Sequence, residues 1–293
     1  MHFFSLHSFR PFITACISLV LLISSCSKKE DGSPDPLNPA VATQILNESY
    51  GSDPLQKADV YLPANRSAAT KTMILIHGGF WTSGDKTDMD TLLVPLKIAD
   101  PNLAVINMNY RLANGTGSNQ HPAQMNDVKS LLDYVDANAD AWHIGKNYAL
   151  VGVSSGAHIA LLYAYGYDPA KRVKVVASVL GPTNFADPLY SSSPIFQQLA
   201  TGLLGKTWLQ DSALHKSVSP VYVVTANAPP TFMAYGGSDP LVPVSNPDAL
   251  KAKLISLNIP YQYFLYYPEG HELTTPAIID VIGKMLYFFK THL

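Results

Sequence analysis

The chain has 293 residues, 47% hydrophobic and 14% charged, enough for one large core, and α/β folds of this size are routinely one domain. With 20 basic and 22 acidic residues the formal net charge is −2, so the basic excess by which proteins meet nucleic acid is missing and that partner is set aside. Of the two cysteines, Cys16 falls in a segment expected to be removed, which leaves no internal disulfide in the mature chain.

The first ten residues carry histidines and one arginine, residues 11–23 are apolar, and Ile23-Ser24-Ser25 sets small residues before Cys26. This predicts a secretory signal peptide over residues 1–25, because the apolar run is shorter than the about 20 residues a spanning helix needs. Small residues followed by cysteine resemble the lipobox of bacterial lipoproteins. That resemblance implies cleavage before Cys26, acylation of its thiol and new amino group, and a membrane anchor that makes the protein an outer-membrane lipoprotein, facing the periplasm or the cell surface. The following Ser27-Lys28-Lys29-Glu30-Asp31 resembles the tag that sends some lipoproteins of Gram-negative cells to the exterior. Residues 26–40, with three prolines among their last nine, read as a flexible tether to a catalytic domain over 41–293.

Within that domain, Val41–Ser49 and Gln56–Leu62 alternate as strands around the turn-rich Gly51-Ser52-Asp53-Pro54 and predict an antiparallel hairpin. Lys71–Ile76 is a β-branched apolar run, as expected of a strand covered on both faces, and it ends in His77-Gly78-Gly79-Phe80-Trp81. Ala104–Met108 is the next strand, and a helical pattern runs from His121-Pro122 to Val135. Tyr148–Val153 leads into Gly152-Val153-Ser154-Ser155-Gly156, Val173–Leu180 and Thr231–Tyr235 are further strands, Pro247–Leu257 reads as a helix, and Tyr261–Tyr267 as the last strand. Ala277–Phe289 is an amphipathic terminal helix. This alternation argues a mostly parallel sheet of about eight strands with helices on both faces. Residues 186–230 are an insertion expected to cover the site, and the spacing of Phe196, Leu199, Leu203, Leu204 and Trp208 either puts an apolar face over it or packs the insertion down.

The chemistry concentrates in Gly-x-Ser-x-Gly. A serine on a tight turn from strand to helix is pushed out of the sheet, and the flanking glycines remove colliding side chains, so Ser154 is the candidate nucleophile, while Ser155 has no such glycines and supplies the next backbone N–H. Two consecutive glycines at a strand's carboxyl end free N–H groups for a ligand, which nominates Gly79, with Gly78 as the alternative, beside Ser155 for an oxyanion hole. Asp239 sits on the Gly236-Gly237-Ser238-Asp239 turn and His271 in the Pro268-Glu269-Gly270-His271 loop, each after a strand. The order Ser154, Asp239, His271 is that of the α/β-hydrolases. His158 is too close in sequence to face Ser154, and His77, His121 and the pair Arg111 and Asp127 read as structural. Neither zinc nor calcium ligand spacing is present, so no metal and no cofactor are expected.

Together with Asp59-Val60-Tyr61-Leu62-Pro63, Asn109-Tyr110-Arg111-Leu112 and Pro122-Ala123-Gln124, these motifs make the chain from about Tyr50 onward resemble α/β-hydrolase esterases of the carboxylesterase, acetyl or feruloyl esterase and arylformamidase group. The pattern usually has Ala and Gly where this chain has Ser155 and Ala157, and often aspartate at Asn184. The resemblance implies a serine hydrolase acting on a small ester substrate or an acylated polysaccharide. An amidase, formamidase or peptidase would use the same triad, a lipase would suit the anchor, and a non-catalytic surface-binding module would keep the fold alone.

Overall fold

A computed structural model describes residues 37–115 and 117–293. The expected signal peptide, Cys26 and most of the tether lie outside these residues. The tether's last four residues are not loose. Arg66 donates from its guanidinium to the carbonyls of Leu37, Val41 and Trp142, its backbone N–H bonds to Pro39, and Leu37 packs against the core. Residues 37–40 are thus bonded to the body that the strands below build.

Eight strands form one sheet: β1 (Thr43–Ser49), β2 (Lys57–Leu62), β3 (Thr72–Ile76), β4 (Ala104–Met108), β5 (Tyr148–Val153), β6 (Val173–Val179), β7 (Thr231–Gly236) and β8 (Tyr261–Tyr266). Their order is β1-β2-β4-β3-β5-β6-β7-β8. The expected hairpin is present, β2 also runs antiparallel to β4, and all other pairs are parallel. After Thr72 the β3 run is apolar, because both its faces are covered. Ile74 and Ile76 pack with α2 (Ala123–Trp142) and α3 (Ser155–Gly166) on one face. Met73 and Leu75 pack with α1 (Asp90–Ala99) and α9 (Thr275–Lys290) on the other.

The sequence reading has no counterpart for α1. Pro95 interrupts its pattern, yet Leu92, Leu93 and Leu96 give it a buried face. Helix α2 runs past Val135 to Trp142, since Ala137, Ala139 and Ala141 favour helix and Ala139 and Trp142 add to the buried face. The insertion folds as four short helices, α4 (Pro188–Ser191), α5 (Pro194–Leu204), α6 (Ser212–Ser217) and α7 (Pro220–Val223), and α8 (Ser245–Ser256) precedes β8. Among the described residues no helix is long and apolar enough to cross a membrane.

Candidate active site

Ser154 stands between β5 and α3 with φ 52° and ψ −121°, a conformation that costs a non-glycine residue about 1–3 kcal/mol and is held by its surroundings. Its N–H donates to Val179 on the neighbouring strand at 2.8 Å. Both elbow glycines answer to close backbone approach. A Cβ on Gly152 would lie 2.2 Å from the Gly156 carbonyl oxygen, and one on Gly156 would lie 2.1 Å from that of Ile76.

Ser154 Oγ lies 2.8 Å from His271 Nε2, and His271 Nδ1 lies 2.8 Å from Asp239 Oδ2. An ionised carboxylate can only accept, so Nδ1 carries the proton, which leaves Nε2 as the acceptor for the serine hydroxyl. The Asp239 side chain is fully buried, and its Oδ1 accepts the N–H groups of Leu241 and Val242 at 2.8 and 2.9 Å. The loops after β7 and β8 are tied together: Gly237 N–H donates to Tyr266, and Ser238 donates its N–H to Glu269 and its hydroxyl to Tyr267. Glu269 in turn accepts from the N–H and hydroxyl of Thr274, both at 2.7 Å, which closes the turn that presents His271.

The loop after β3 runs beside the serine. A Cβ on Gly78 would lie 3.3 Å from Ser154 Cβ. Gly79, Phe80 and Trp81 all have positive φ, at 107°, 56° and 66°. The N–H groups of Gly78, Gly79 and Ser155 donate to no acceptor among the described residues. The Gly78 carbonyl accepts from His77 Nδ1 at 2.7 Å and from the Tyr110 hydroxyl at 3.3 Å. In a planar trans peptide the C=O and N–H point opposite ways, so these two bonds fix the direction of the Gly79 N–H. Trp81 is held from α3, where its Nε1–H donates to His158 Nδ1 at 3.1 Å while His158 Nε2 donates to the Val218 carbonyl at 2.8 Å. Burial holds His77 below the usual imidazole range and pushes His158 down to about 3, and a neutral His158 is what its acceptance of the Trp81 N–H requires.

His121 bonds the Tyr167 hydroxyl at 3.0 Å and Arg111 pairs with buried Asp127 at 2.7 Å, both as structural contacts. Among the described residues no group of three or more His, Cys, Asp or Glu is placed to hold a metal ion.

Ser154 and His271 open into a cavity of about 280 Å³ with mainly apolar walls. The insertion supplies part of them, but with a different residue set from the one its spacing suggested. Phe196 and Leu199 line the cavity, joined by Leu189 and Tyr190 of the four-residue α4 and by Ser193 and Ile195 at the start of α5, none of which belongs to the expected apolar set. Leu203 and Leu204 are buried in the core, and Trp208 packs edge-on against His215 outside the cavity wall. The wall opposite is Pro240–Pro243, the loop that holds Asp239.

The BD-FAE family model matches residues 58–254, more than half of the chain. This chain belongs to the BD-FAE family. The sheet, elbow and loop order are those of an α/β-hydrolase. Esterase LipC of Mycobacterium tuberculosis is 25% identical to this BD-FAE family member over 239 residues, 76% of this chain and 58% of LipC. Kynurenine formamidase of Meyerozyma guilliermondii is 35% identical over 114 residues, 38% of this chain and 39% of the formamidase. The chain thus spans little more than half the length of LipC. A truncated form of a carbohydrate esterase from gut microbiota superposes with a TM-score of 0.73 at 23% identity, covering 87% of this chain and 98% of that one.

Proposed function

We propose that this BD-FAE family member is a serine hydrolase that cleaves carboxylic esters, with short acyl groups on carbohydrate or other extracellular material as its substrates. The observation behind this reading is the hydrogen-bonded series from Asp239 through His271 to Ser154 Oγ. As Oγ attacks the ester carbonyl carbon, Nε2 takes its proton, and Asp239 holds the tautomer and stabilises the imidazolium. In this reading the oxyanion is met by the N–H groups of Gly79 and Ser155, which have no acceptor among the described residues, with Gly78 N–H as the alternative donor. The imidazolium then protonates the leaving alkoxide, and an acyl-enzyme remains. Water, deprotonated by His271, attacks this ester and releases the acid. No step needs a cofactor.

A cavity of about 280 Å³ with apolar walls supports a short acyl group. The names of the similar proteins, an esterase and a carbohydrate esterase, support the ester class. A formamidase reading is favoured by the kynurenine formamidase relative, since the same nucleophile opens an N-formyl bond. Both are tested on purified protein with 4-nitrophenyl acetate, acetylated xylan and N-formylkynurenine. Turnover of the esters that vanishes in Ser154→Ala is the expected result; turnover of N-formylkynurenine alone selects the formamidase, and undiminished turnover in Ser154→Ala rejects the nucleophile.

We also propose that the mature protein starts at an acylated Cys26 and is held in the outer membrane. The small residues before that cysteine motivate this. Mass spectrometry of the membrane-derived N-terminal peptide would find a diacylglyceryl adduct, and a free Cys26 thiol would contradict it.

A further inference from the structure

Three of the stretches that wall the cavity at Ser154 are Pro182 after β6, Leu189 and Tyr190 of α4, and Pro240–Pro243 after β7. Behind them they are joined by one side chain that does not line the cavity. Asn246, in the first turn of α8, is wholly buried. Its Oδ1 accepts the N–H groups of Thr183 and Asn184, both at 2.9 Å, and its carbonyl accepts the Thr183 hydroxyl at 2.6 Å, which fixes the chain just after Pro182. Its own N–H donates to the Pro243 carbonyl at 2.9 Å, at the end of the wall opposite. Its Nδ2 donates to Asp187 Oδ2 at 3.1 Å. Two N–H donors on Oδ1 leave the amide a single orientation.

Asp187 is buried as well and caps the start of α4. Its Oδ1 accepts the Leu189 N–H at 2.9 Å, and its Oδ2 accepts the Ser245 hydroxyl at 2.6 Å beside the Asn246 amide. An ionised carboxylate only accepts, and here it meets three donors, one from α4 and two from α8. One amide and one carboxylate therefore link α4, the loop after β6 and the start of α8. Neither bonds Ser154, His271 or Asp239.

Helix α4 has four residues, and a single turn has no stability of its own, so its place is set by what it is tied to. An apolar cavity measures an acyl chain by where its walls stand, and one methylene more or less is worth about 10–200-fold in discrimination. We propose that Asn246 and Asp187 are a positioning pair that holds the α4 wall against the wall after β7, and so sets the acyl length the cavity accepts. The proposal rests on Ser154 being the nucleophile, and it adds to that reading two specificity-determining residues that never touch the substrate.

The test is a reciprocal exchange. Asn246→Asp sets a second buried carboxylate against Asp187, and Asp187→Asn turns an amide N–H toward either the Asn246 amide or the Leu189 N–H, so each single variant breaks the link. The double variant restores it with the roles reversed. The new carboxylate accepts from Thr183, Asn184 and the new amide, and that amide accepts the Leu189 N–H and donates to the Ser245 hydroxyl. The readout is the ratio of kcat/KM for 4-nitrophenyl octanoate to that for 4-nitrophenyl acetate. Each single variant should raise this ratio about tenfold, the lower end of what one methylene is worth. The kcat for acetate should change far less, because Asp239 keeps its bonds to Leu241, Val242 and His271. The exchange should return the ratio to the parent value. A ratio unmoved in both single variants while Tm falls makes the pair merely structural and overturns the proposal, as does an exchange variant whose ratio stays raised. If a single variant does not fold, Ser245→Ala, which removes one donor from the same carboxylate, takes its place: it should raise the ratio while the exchange does not, and the reverse overturns the proposal. No ester turnover by the parent protein overturns the reading of Ser154 and the pair with it, whereas turnover with an unmoved ratio overturns the pair alone.

Discussion

His158 bonds Trp81 and Val218 through its two ring nitrogens, and this arrangement allows the loop after β3 to be perturbed from behind. In His158→Leu the Trp81 Nε1–H and the Val218 carbonyl are left buried without partners, at about 1–3 kcal/mol each. For a domain of this size each kcal/mol lowers Tm by about 2–4 °C, so a drop of roughly 4 °C or more is expected. The effect on turnover is separate. Trp81 lies two residues after Gly79, and a donor moved by about 1 Å from its working position costs on the order of 10²-fold. Two conservative variants separate the causes. The amide oxygen introduced by His158→Asn occupies the place of Nδ1 and can still accept from Trp81, whereas His158→Gln reaches the place of Nε2 and keeps only the bond to Val218. With 4-nitrophenyl acetate, His158→Asn should retain most of kcat, while His158→Gln and His158→Leu lose 10–100-fold by the same estimate, with KM changed much less. Equal kcat values for the Asn and Gln variants, or losses that follow Tm alone, would refute the idea that this histidine positions the loop.

Three other outcomes are expected. Asp239→Asn should lower kcat by about 10⁴-fold by stabilising the wrong tautomer of His271 while Tm changes little, as steady-state kinetics and a melt would reveal. Stability should fall on acidification from about pH 6.5, the ordinary imidazole value. Burial pushes His158 down to about 3 and His121 down to about 4, and it lowers His77 as well. The unfolded chain therefore takes up protons that the native state refuses, so this contribution is full above pH 6.5, and His158 and His121 each remove up to about 1.4 kcal/mol per pH unit below it until their native values are reached. Urea midpoints measured between pH 7 and pH 4.5 that fail to fall would contradict this, and His158→Asn should flatten the slope. Finally, kcat/KM should decline from acetyl to octanoyl 4-nitrophenyl esters, and Phe196→Ala should soften that decline because Phe196 walls the cavity, whereas Trp208→Ala should leave it unchanged.

The elbow was legible because its requirements are local: Gly152 and Gly156 are forced by backbone contacts, and a chain without them cannot make the turn. Asp239 and His271 were legible for a related reason, as each sits in a glycine-bearing turn at the end of an apolar run. The cavity was not. Leu189 and Tyr190 lie on a four-residue helix whose orientation is set by what it packs against, so no period marks the side that faces Ser154. Trp208 shows the converse error, since its spacing matched a helical face that the chain leaves at Gly205, where φ is 69°. Helix α1 was hidden by Pro95, and the roles of His158 and Tyr110 depend on partners 77 and 32 residues away.

The distribution of the three polar residues along the sheet has a consequence for the life of the protein in time. Ser154 follows a central strand, but its hydrogen-bond partner His271 lies 117 residues further on, and Asp239 sits on the loop after β7, next to the final strand. A growing chain therefore makes the proposed nucleophile early and its partners last, since domains are synthesised from the amino end. On the mechanism proposed above, the serine stays an ordinary alcohol until β7 and β8 dock, and a chain cut short before His271 has no latent activity to release. Ester turnover is for this reason a direct reporter of completed folding, usable to time when the last two strands join the sheet.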